Sequence, residues 1–338
     1  MFKALDSLKR IDRKTLYLFA KYLFSFDTTA LRNLLSVYLV RLSKAPSYKP
    51  QIFFGNIDER EKLEFTREQK VLVSIIIPAF NQWDYTLSCL HSIRANTPEV
   101  AYEVIVADDS STDETGKILD HVGNIRVIRN GCNLQFLKNC NRAARLASGK
   151  YLLFLNNDTN VQKNWLSRLL EPAEKDPAVG MVGAKLVYPD GRLQEAGGII
   201  WSDGSGWNYG WFDDPQKPQY NYPREPDYVS GACLLIRRDL WEKTGGFDER
   251  FAPAYYEDTD LAFQVRSLGY KVIYQPESVV VHFEGISSGT NPDAGTKRHQ
   301  EINRMIFLEK WRPVLEKEHV ERGRRLPSLA KDRPAPKV

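Results

Sequence analysis

Residues 71–81 read VLVSIIIPAFN, and this run decides the fold. From Val71 to Ala79 the chain is almost continuously apolar and closes on Pro78-Ala79. A strand with one wet face alternates apolar and polar residues, whereas an unbroken apolar run fits a strand covered on both faces. Working outward, the pattern recurs. A helical segment near 85–94 leads to a strand at 102–107, a helix near 114–121 and a strand at 125–128. A helix near 136–147 and a strand at 151–155 follow. The order βαβαβαβ predicts an α/β domain with a mostly parallel central sheet and helices on both faces. In such sheets ligands bind at the carboxyl ends of the strands.

Those ends are polar. The first strand runs into Pro78-Ala79-Phe80-Asn81, the second into Asp108-Asp109-Ser110-Ser111-Thr112-Asp113, and the fourth into Asn156-Asn157-Asp158-Thr159. Each cluster alone has a plain structural reading, because Ser, Thr and Asp cap helices and Asn-Asn-Asp makes turns. Three clusters at one sheet edge read as a binding site. Asp109 can accept a hydrogen bond from a base N–H. Asp158 can bind a hard divalent cation that bridges to phosphate oxygens. Further on, residues 203–228 hold Trp207, Tyr209, Trp211, Phe212, Tyr220, Tyr222 and Tyr228 among Gly and Pro. This predicts a loop whose aromatics either stack on sugar rings or pin the loop to the domain. Tyr255-Tyr256-Glu257-Asp258-Thr259-Asp260 then opens a helix, where the macrodipole favours acids.

Composition bounds the rest. The 338 residues are 42% hydrophobic and 27% charged, ordinary for a globular protein. The net charge of +4 hides an asymmetry, since residues 1–50 hold ten Lys/Arg against three Asp/Glu and residues 310–338 hold nine against four. Basic ends suit an anionic membrane surface as well as they suit solvated tails. No nucleic-acid reader motif accompanies them, so nucleic acid is not an expected partner. Cys89, Cys132, Cys140 and Cys233 form neither a CxxC pair nor a metal-ligand spacing. The longest apolar N-terminal run, 16–26, is broken by Lys21 and is too short to span a bilayer. The expected location is cytoplasmic, with peripheral contact at the inner face of the cytoplasmic membrane. Three parts are expected: an N-terminal helical extension (1–70), the α/β domain (71–290), and a C-terminal helix near 297–311 with a basic tail (291–338).

The segments VSIIIPAFN, VIVADDSSTDET and ASGKYLLFLNNDT, followed by VSGACLLIRRDLWEKTGGFDERF and YYEDTDLAFQVRSLGYKVIYQPESVVVHFEG, stand in order. Together they resemble the family 2 glycosyltransferases with the GT-A fold, in the bacterial O-antigen and capsule branch that includes rhamnosyltransferase-like enzymes. The resemblance covers about 71–290. It implies that Asp109 holds the base of a nucleotide-sugar donor while Asp108 supports the same loop. Pro78, Ala79 and Phe80 would line the base and ribose, with Asn157 and Asp158 beside the diphosphate. The family's metal motif has two acids separated by one residue. Here Asn156-Asn157-Asp158 keeps only the last, which leaves Asp158 and His282 as ligands for Mn2+ or Mg2+. Asp258 would be the general base, and Glu257 would tune it or touch the acceptor. Asp260 would cap the helix or orient the loop. Trp207, Tyr255, Tyr256 and Gly246 would lie on the acceptor side.

The implied reaction is a single displacement with inversion onto a saccharide or lipid-linked saccharide, in bacterial surface polysaccharide synthesis. One departure stands out: Asn133-Leu134-Gln135-Phe136 has Gln135 where the family has Gly, which changes the surroundings of base and ribose. Lys138 and Arg142 either reach the donor or lie on a solvated face. The alternative is an inactive carbohydrate-binding or scaffold protein of the same fold, for which the reduced acidic motif speaks and intact Asp258 and His282 do not. A nucleotidyltransferase or a dinucleotide oxidoreductase would need a Gly-rich phosphate loop after the first strand, and Pro78-Ala79-Phe80-Asn81 is not one.

Overall fold

The computed structural model describes residues 46–55, 62–98, 100–285 and 299–322. Most of the expected 1–70 extension, and the tail beyond 322, lie outside the described residues. In chain order the elements are β1 (Val73–Ala79), α1 (Trp83–Asn96), β2 (Tyr102–Asp108), α2 (Thr115–Asp120), β3 (Arg126–Arg129), α3 (Gln135–Ala144), β4 (Tyr151–Leu155), β5 (Thr159–Val161) and α4 (Trp165–Lys175). Then come β6 (Val179–Val187), β7 (Leu193–Glu195), β8 (Gly198–Ile200), β9 (Gly206–Asn208), β10 (Cys233–Arg237), α5 (Arg238–Thr244), α6 (Glu257–Ser267), β11 (Lys271–His282) and α7 (His299–Glu318).

β1 is buried along its whole length, as its unbroken apolar run requires. Successive side chains point to opposite faces of a strand. Val73, Ile75 and Ile77 therefore join one core, with Leu87, Leu90 and Ile93 of α1 and Trp165, Leu166 and Leu169 of α4. Ile76 joins the other, with Leu137 and Cys140 of α3, Leu240 and Trp241 of α5, and Leu261 and Val265 of α6. The second core continues into α7, whose Phe307 and Leu315 are fully buried. Burying such a side chain contributes roughly 1.5–3 kcal/mol, so α7 is bound into the domain rather than appended to it. It runs further than expected, to Glu318.

The sheet order is β3-β2-β1-β4-β10-β6-β11-β5, with β7 on β6. The block β3-β2-β1-β4 is parallel. β10 enters antiparallel between β4 and β6. β11 pairs parallel with β6, while β5 and β7 pair antiparallel. β8 and β9 form a separate hairpin. The reversed strand positions the site. Because β10 runs against β4, Leu155 at the end of β4 faces Cys233 at the start of β10. The loop entering β10 therefore sits beside the Asn156–Asp158 turn, with Asn156 N–H donating to the Ala232 carbonyl at 3.0 Å. β4, β6 and β11 share a direction, so His282 at the end of β11 arrives at the same edge.

Candidate active site

A cavity of about 700 Å³ opens at this edge. Its walls include Pro78, Ala79, Phe80, Asp109, Asn157, Asp158, Trp207, Tyr255, Tyr256, Glu257, Asp258 and His282. Most of the side chains expected on the donor, metal, base and acceptor sides thus share one space. Two expected site residues do not line it. Asp108 is buried in its turn, where Oδ1 accepts the Ser111 N–H at 3.0 Å, so it braces the loop from outside the cavity wall. Gly246 closes α5, its N–H donating to the Trp241 carbonyl at 3.0 Å. Its φ is +85°, and a Cβ there would fall 2.9 Å from Asn141 Oδ1. That glycine serves the turn and lies outside the cavity wall. Lys138 and Arg142 are exposed and outside the cavity wall, with Lys138 3.9 Å from Glu249.

Asp109 is buried, and its carboxylate is already heavily engaged. Oδ1 accepts from Asn130 Nδ2 at 2.7 Å and from Leu134 N–H at 2.8 Å, and Oδ2 accepts from Gln135 N–H at 2.7 Å. A carboxylate offers about four acceptor sites. Three are filled by the loop after β3, so this acid shapes that loop as well as the cavity wall. Gln135 sits at φ +66°, the left-handed region that favours glycine. The family's glycine at this place has a plain conformational reason, and this chain tolerates a side chain there.

On the opposite wall, His282 Nε2 lies 3.2 Å from Asp158 Oδ1. Burial lowers the imidazole's proton affinity, but the Asp158 carboxylate outweighs it and holds the pKa above the ordinary value. Asn156 Nδ2 stands 3.4 Å from the same Nε2, and Asn156 Oδ1 is buried with no hydrogen-bond partner. The Asp158 carboxylate and the His282 imidazole are ligand types suited to Mn2+ or Mg2+, and the unpartnered Asn156 amide oxygen belongs to a neighbouring residue of the cavity wall. Among the described residues no group of three or more His, Cys, Asp or Glu side chains converges to hold a metal.

The third wall is the start of α6. Tyr255 and Tyr256 both have positive φ, 77° and 72°, immediately before Glu257 and Asp258. This backbone turns both carboxyls inward. Asp258 Oδ2 accepts the Gly231 N–H at 2.9 Å and Oδ1 the Thr259 N–H at 2.7 Å. Burial nevertheless holds its pKa above the ordinary carboxylate range. Glu257 is pushed well upward by burial and by Asp258, and its Oε2 has no partner. Asp260 is fully buried and faces away, held by Lys310 Nζ, Trp311 Nε1 at 2.7 Å and Gln264 Nε2 at 2.7 Å. It anchors α7 onto α6.

Two residues at the site were not singled out from sequence. Gln194 and Glu195 are buried on the three-residue strand β7 and line the cavity. Glu195 Oε1 accepts the Ser230 N–H at 3.1 Å, one residue before the amide that holds Asp258. Burial and the nearby Asp258 push its pKa to about 8. A strand this short leaves no periodic signal to read. The aromatic loop is split between the cavity wall, which includes Tyr228, and the body of the domain. Trp207 and Trp211 line the cavity and are partly exposed. Tyr220 is buried with its hydroxyl on Asp213 at 2.8 Å, and Tyr228 packs where a Cβ on Gly198 would lie 1.9 Å from its ring.

A mixed sheet whose parallel block carries acids after its second and fourth strands, facing a helix headed by Glu257-Asp258, is the arrangement of the GT-A fold. The profile of the family described as Glycosyl transferase family 2 matches residues 74–245, and the chain belongs to that family. It is 32% identical over 225 residues to the O-antigen biosynthesis protein RfbC of Myxococcus xanthus, covering 64% of this chain and 17% of that one. It is 27% identical over 239 residues to an N-acetylglucosaminyl-diphospho-decaprenol L-rhamnosyltransferase of Mycobacterium tuberculosis, covering 63% and 78%. The fold is similar to that of GalNAc-T7, solved as a crystal structure with UDP, GalNAc and Mn2+: the TM-score is 0.59 at 19% identity, covering 73% of this chain and 50% of that one. This chain thus spans under a fifth of the Myxococcus protein's length. Among the described residues no helix is long and apolar enough to cross a membrane.

Proposed function

We propose that the chain transfers a sugar, with inversion, from a nucleoside-diphosphate sugar to a saccharide hydroxyl during assembly of a bacterial surface polysaccharide. The observation that carries this reading is that Asp258 lines the same cavity as Asp158 and His282. An inverting transfer needs a base on one side of the anomeric carbon and charge neutralisation on the other.

In this reading the 78–80 turn and the loop braced by Asp109 hold the nucleoside. Asp158 and His282 would hold a divalent cation against the diphosphate, which would then leave with its charge neutralised. Asp258 accepts the proton from the acceptor hydroxyl as that oxygen bonds to the anomeric carbon. The bond from that carbon to the diphosphate oxygen breaks on the opposite face, and its electron pair departs with the diphosphate. The Gly231 and Thr259 amides hold Asp258 in place, while burial keeps it basic enough to accept a proton. No covalent enzyme intermediate is required. Glu257, whose pKa burial and Asp258 hold above the ordinary carboxylate range, would tune Asp258 or contact the acceptor. Trp207, Tyr255 and Tyr256 form the acceptor wall, with Trp207 offering an aromatic face to a sugar ring. The Mycobacterium relative's name supports a lipid-linked saccharide as acceptor. An inner-face membrane location would bring the chain to such an acceptor. The catalytic unit is taken as 71–290 together with α7.

The test is turnover. Wild type should release nucleoside diphosphate and form a product of inverted anomeric configuration. Asp258→Asn should lose at least about a hundredfold in kcat, the scale of positioned base catalysis, while still binding donor. Equal turnover by the variant would remove Asp258 from the mechanism. Donor binding without turnover by wild type, across acceptors, would favour a carbohydrate-binding scaffold.

A further inference from the structure

A chain of hydrogen bonds runs behind His282, and the direction of each follows from the chemistry of its ends. Trp211 Nε1, which can only donate, lies 2.8 Å from Tyr188 Oη. Tyr188 therefore accepts there and gives its own proton to Glu284 Oε2 at 2.7 Å. Gln194 Nε2 donates to the same carboxylate oxygen at 3.0 Å. With its amide nitrogen committed to Glu284, Gln194 turns its carbonyl Oε1 toward His282 Nδ1, at 3.1 Å. That oxygen can only accept, so Nδ1 must carry a proton. The other ring nitrogen, Nε2, is then the one that faces the proposed cation corner, 3.2 Å from Asp158 Oδ1 and 3.4 Å from the amide Nδ2 of Asn156. Gln194 is 3% exposed and His282 9%, so water does not readily substitute for this contact.

We infer that Gln194, oriented by Glu284, is a positioning residue that fixes the tautomer and ring orientation of His282 so that Nε2 is offered to a divalent cation. This deepens the proposed metal role and rests on it. A histidine ligand whose other nitrogen is held by a polar partner binds metal better than one whose ring is free to turn, typically by 10–100-fold. A leucine at 194 would keep the bulk and remove the acceptor. Glu284 is exposed, so its replacement leaves the core intact.

The experiment measures Mn2+ binding by electron paramagnetic resonance of the free ion. The probe is Mn2+ with uridine, guanosine or thymidine diphosphate, whichever the wild type retains. Wild type, Gln194→Leu, Glu284→Ala and His282→Ala are compared, with circular dichroism as the check on folding. The expected result is a 10–100-fold higher Kd for Gln194→Leu, approaching that of His282→Ala, and a smaller rise for Glu284→Ala. A Kd for both Gln194→Leu and Glu284→Ala within twofold of wild type would overturn the inference and leave the metal role standing. Should Gln194→Leu fail to fold, the Glu284→Ala result decides alone. Absence of Mn2+ binding by the wild type with every nucleotide would instead overturn the metal reading itself.

Discussion

The side-chain amide of Asn303 lies 2.9 Å from the backbone carbonyl of Tyr255, 48 positions earlier in the chain. The same nitrogen is 2.7 Å from the Phe251 carbonyl and 2.9 Å from that of Ala254. One buried residue of α7 thus gathers the loop that delivers Glu257 and Asp258. That loop needs gathering, because positive φ at two successive tyrosines costs on the order of 1–3 kcal/mol each. Replacing Asn303 with Ala removes the donor that these carbonyls share, at about 1–3 kcal/mol. Chemical denaturation should show a loss in that range. Steady-state kinetics should show kcat falling at least tenfold, with donor KM changing less. Wild-type kcat in a folded Asn303→Ala protein would show that α7 does not support the base.

How much of this could be read beforehand follows from which signals are local. The β1 run and the polar residues after β1, β2 and β4 are contiguous in sequence, so both the parallel block and the polar edge where the cavity opens were legible there. His282 and Asp258 were legible only through resemblance to a family, because a lone histidine and an acidic helix start carry no chemistry by spacing. Gln194 and Glu195 were invisible: β7 is three residues long, and its neighbours in space are some 35 to 90 positions away in sequence. Asn303 was missed for the same reason. Gly246 was read as an acceptor-side residue because a glycine that shapes a turn and one that lines a cavity look alike in a linear motif.

Gln135 offers a direct check on backbone strain. Its left-handed φ costs a non-glycine residue roughly 1–2 kcal/mol, partly offset by glycine's greater freedom in the unfolded chain. Gln135→Gly should therefore leave stability unchanged or raise it by up to about 1 kcal/mol. Donor KM should shift, since Gln135 lines the cavity. A loss of stability on thermal denaturation would mean that the side chain supports the loop more than its backbone strains it.

Glu195 should give the fold a specific pH dependence. Its pKa is about 8 in the folded protein against an ordinary 4.5, so the folded state holds this proton more tightly than the unfolded state. The stabilisation is complete below about 4.5 and is lost as pH rises toward about 8, with a slope of up to about 1.4 kcal/mol per pH unit. Glu195→Gln removes the titration. The variant should match wild type near pH 4.5 and become the more stable of the two near pH 8. Urea unfolding of both proteins across this range checks it; a constant difference between them would place the titrating proton elsewhere.

Lys310 and Asp260 join α7 to α6 at 2.8 Å, with Asp260 wholly buried. Lys310→Met leaves that carboxylate its Trp311 and Gln264 donors but removes its cation, and should cost about 3 kcal/mol. Adding Asp260→Asn should recover part of the loss, because the uncompensated charge is then gone. Additive losses in the double variant would contradict this account of the pair.

The central claim is that a nucleotide-sugar donor and a divalent cation bind together at Asp158. The most direct measurement is a thermal-shift panel of nucleotide sugars, with and without Mn2+ or Mg2+, on wild type and Asp158→Ala. At about 100 times its Kd a ligand adds roughly 2.7 kcal/mol. The account predicts that one donor raises the wild-type midpoint with metal, and that the rise disappears without metal and in the variant. A metal-independent rise of equal size in both proteins would contradict the metal role of Asp158, and no rise with any donor would contradict the transferase reading.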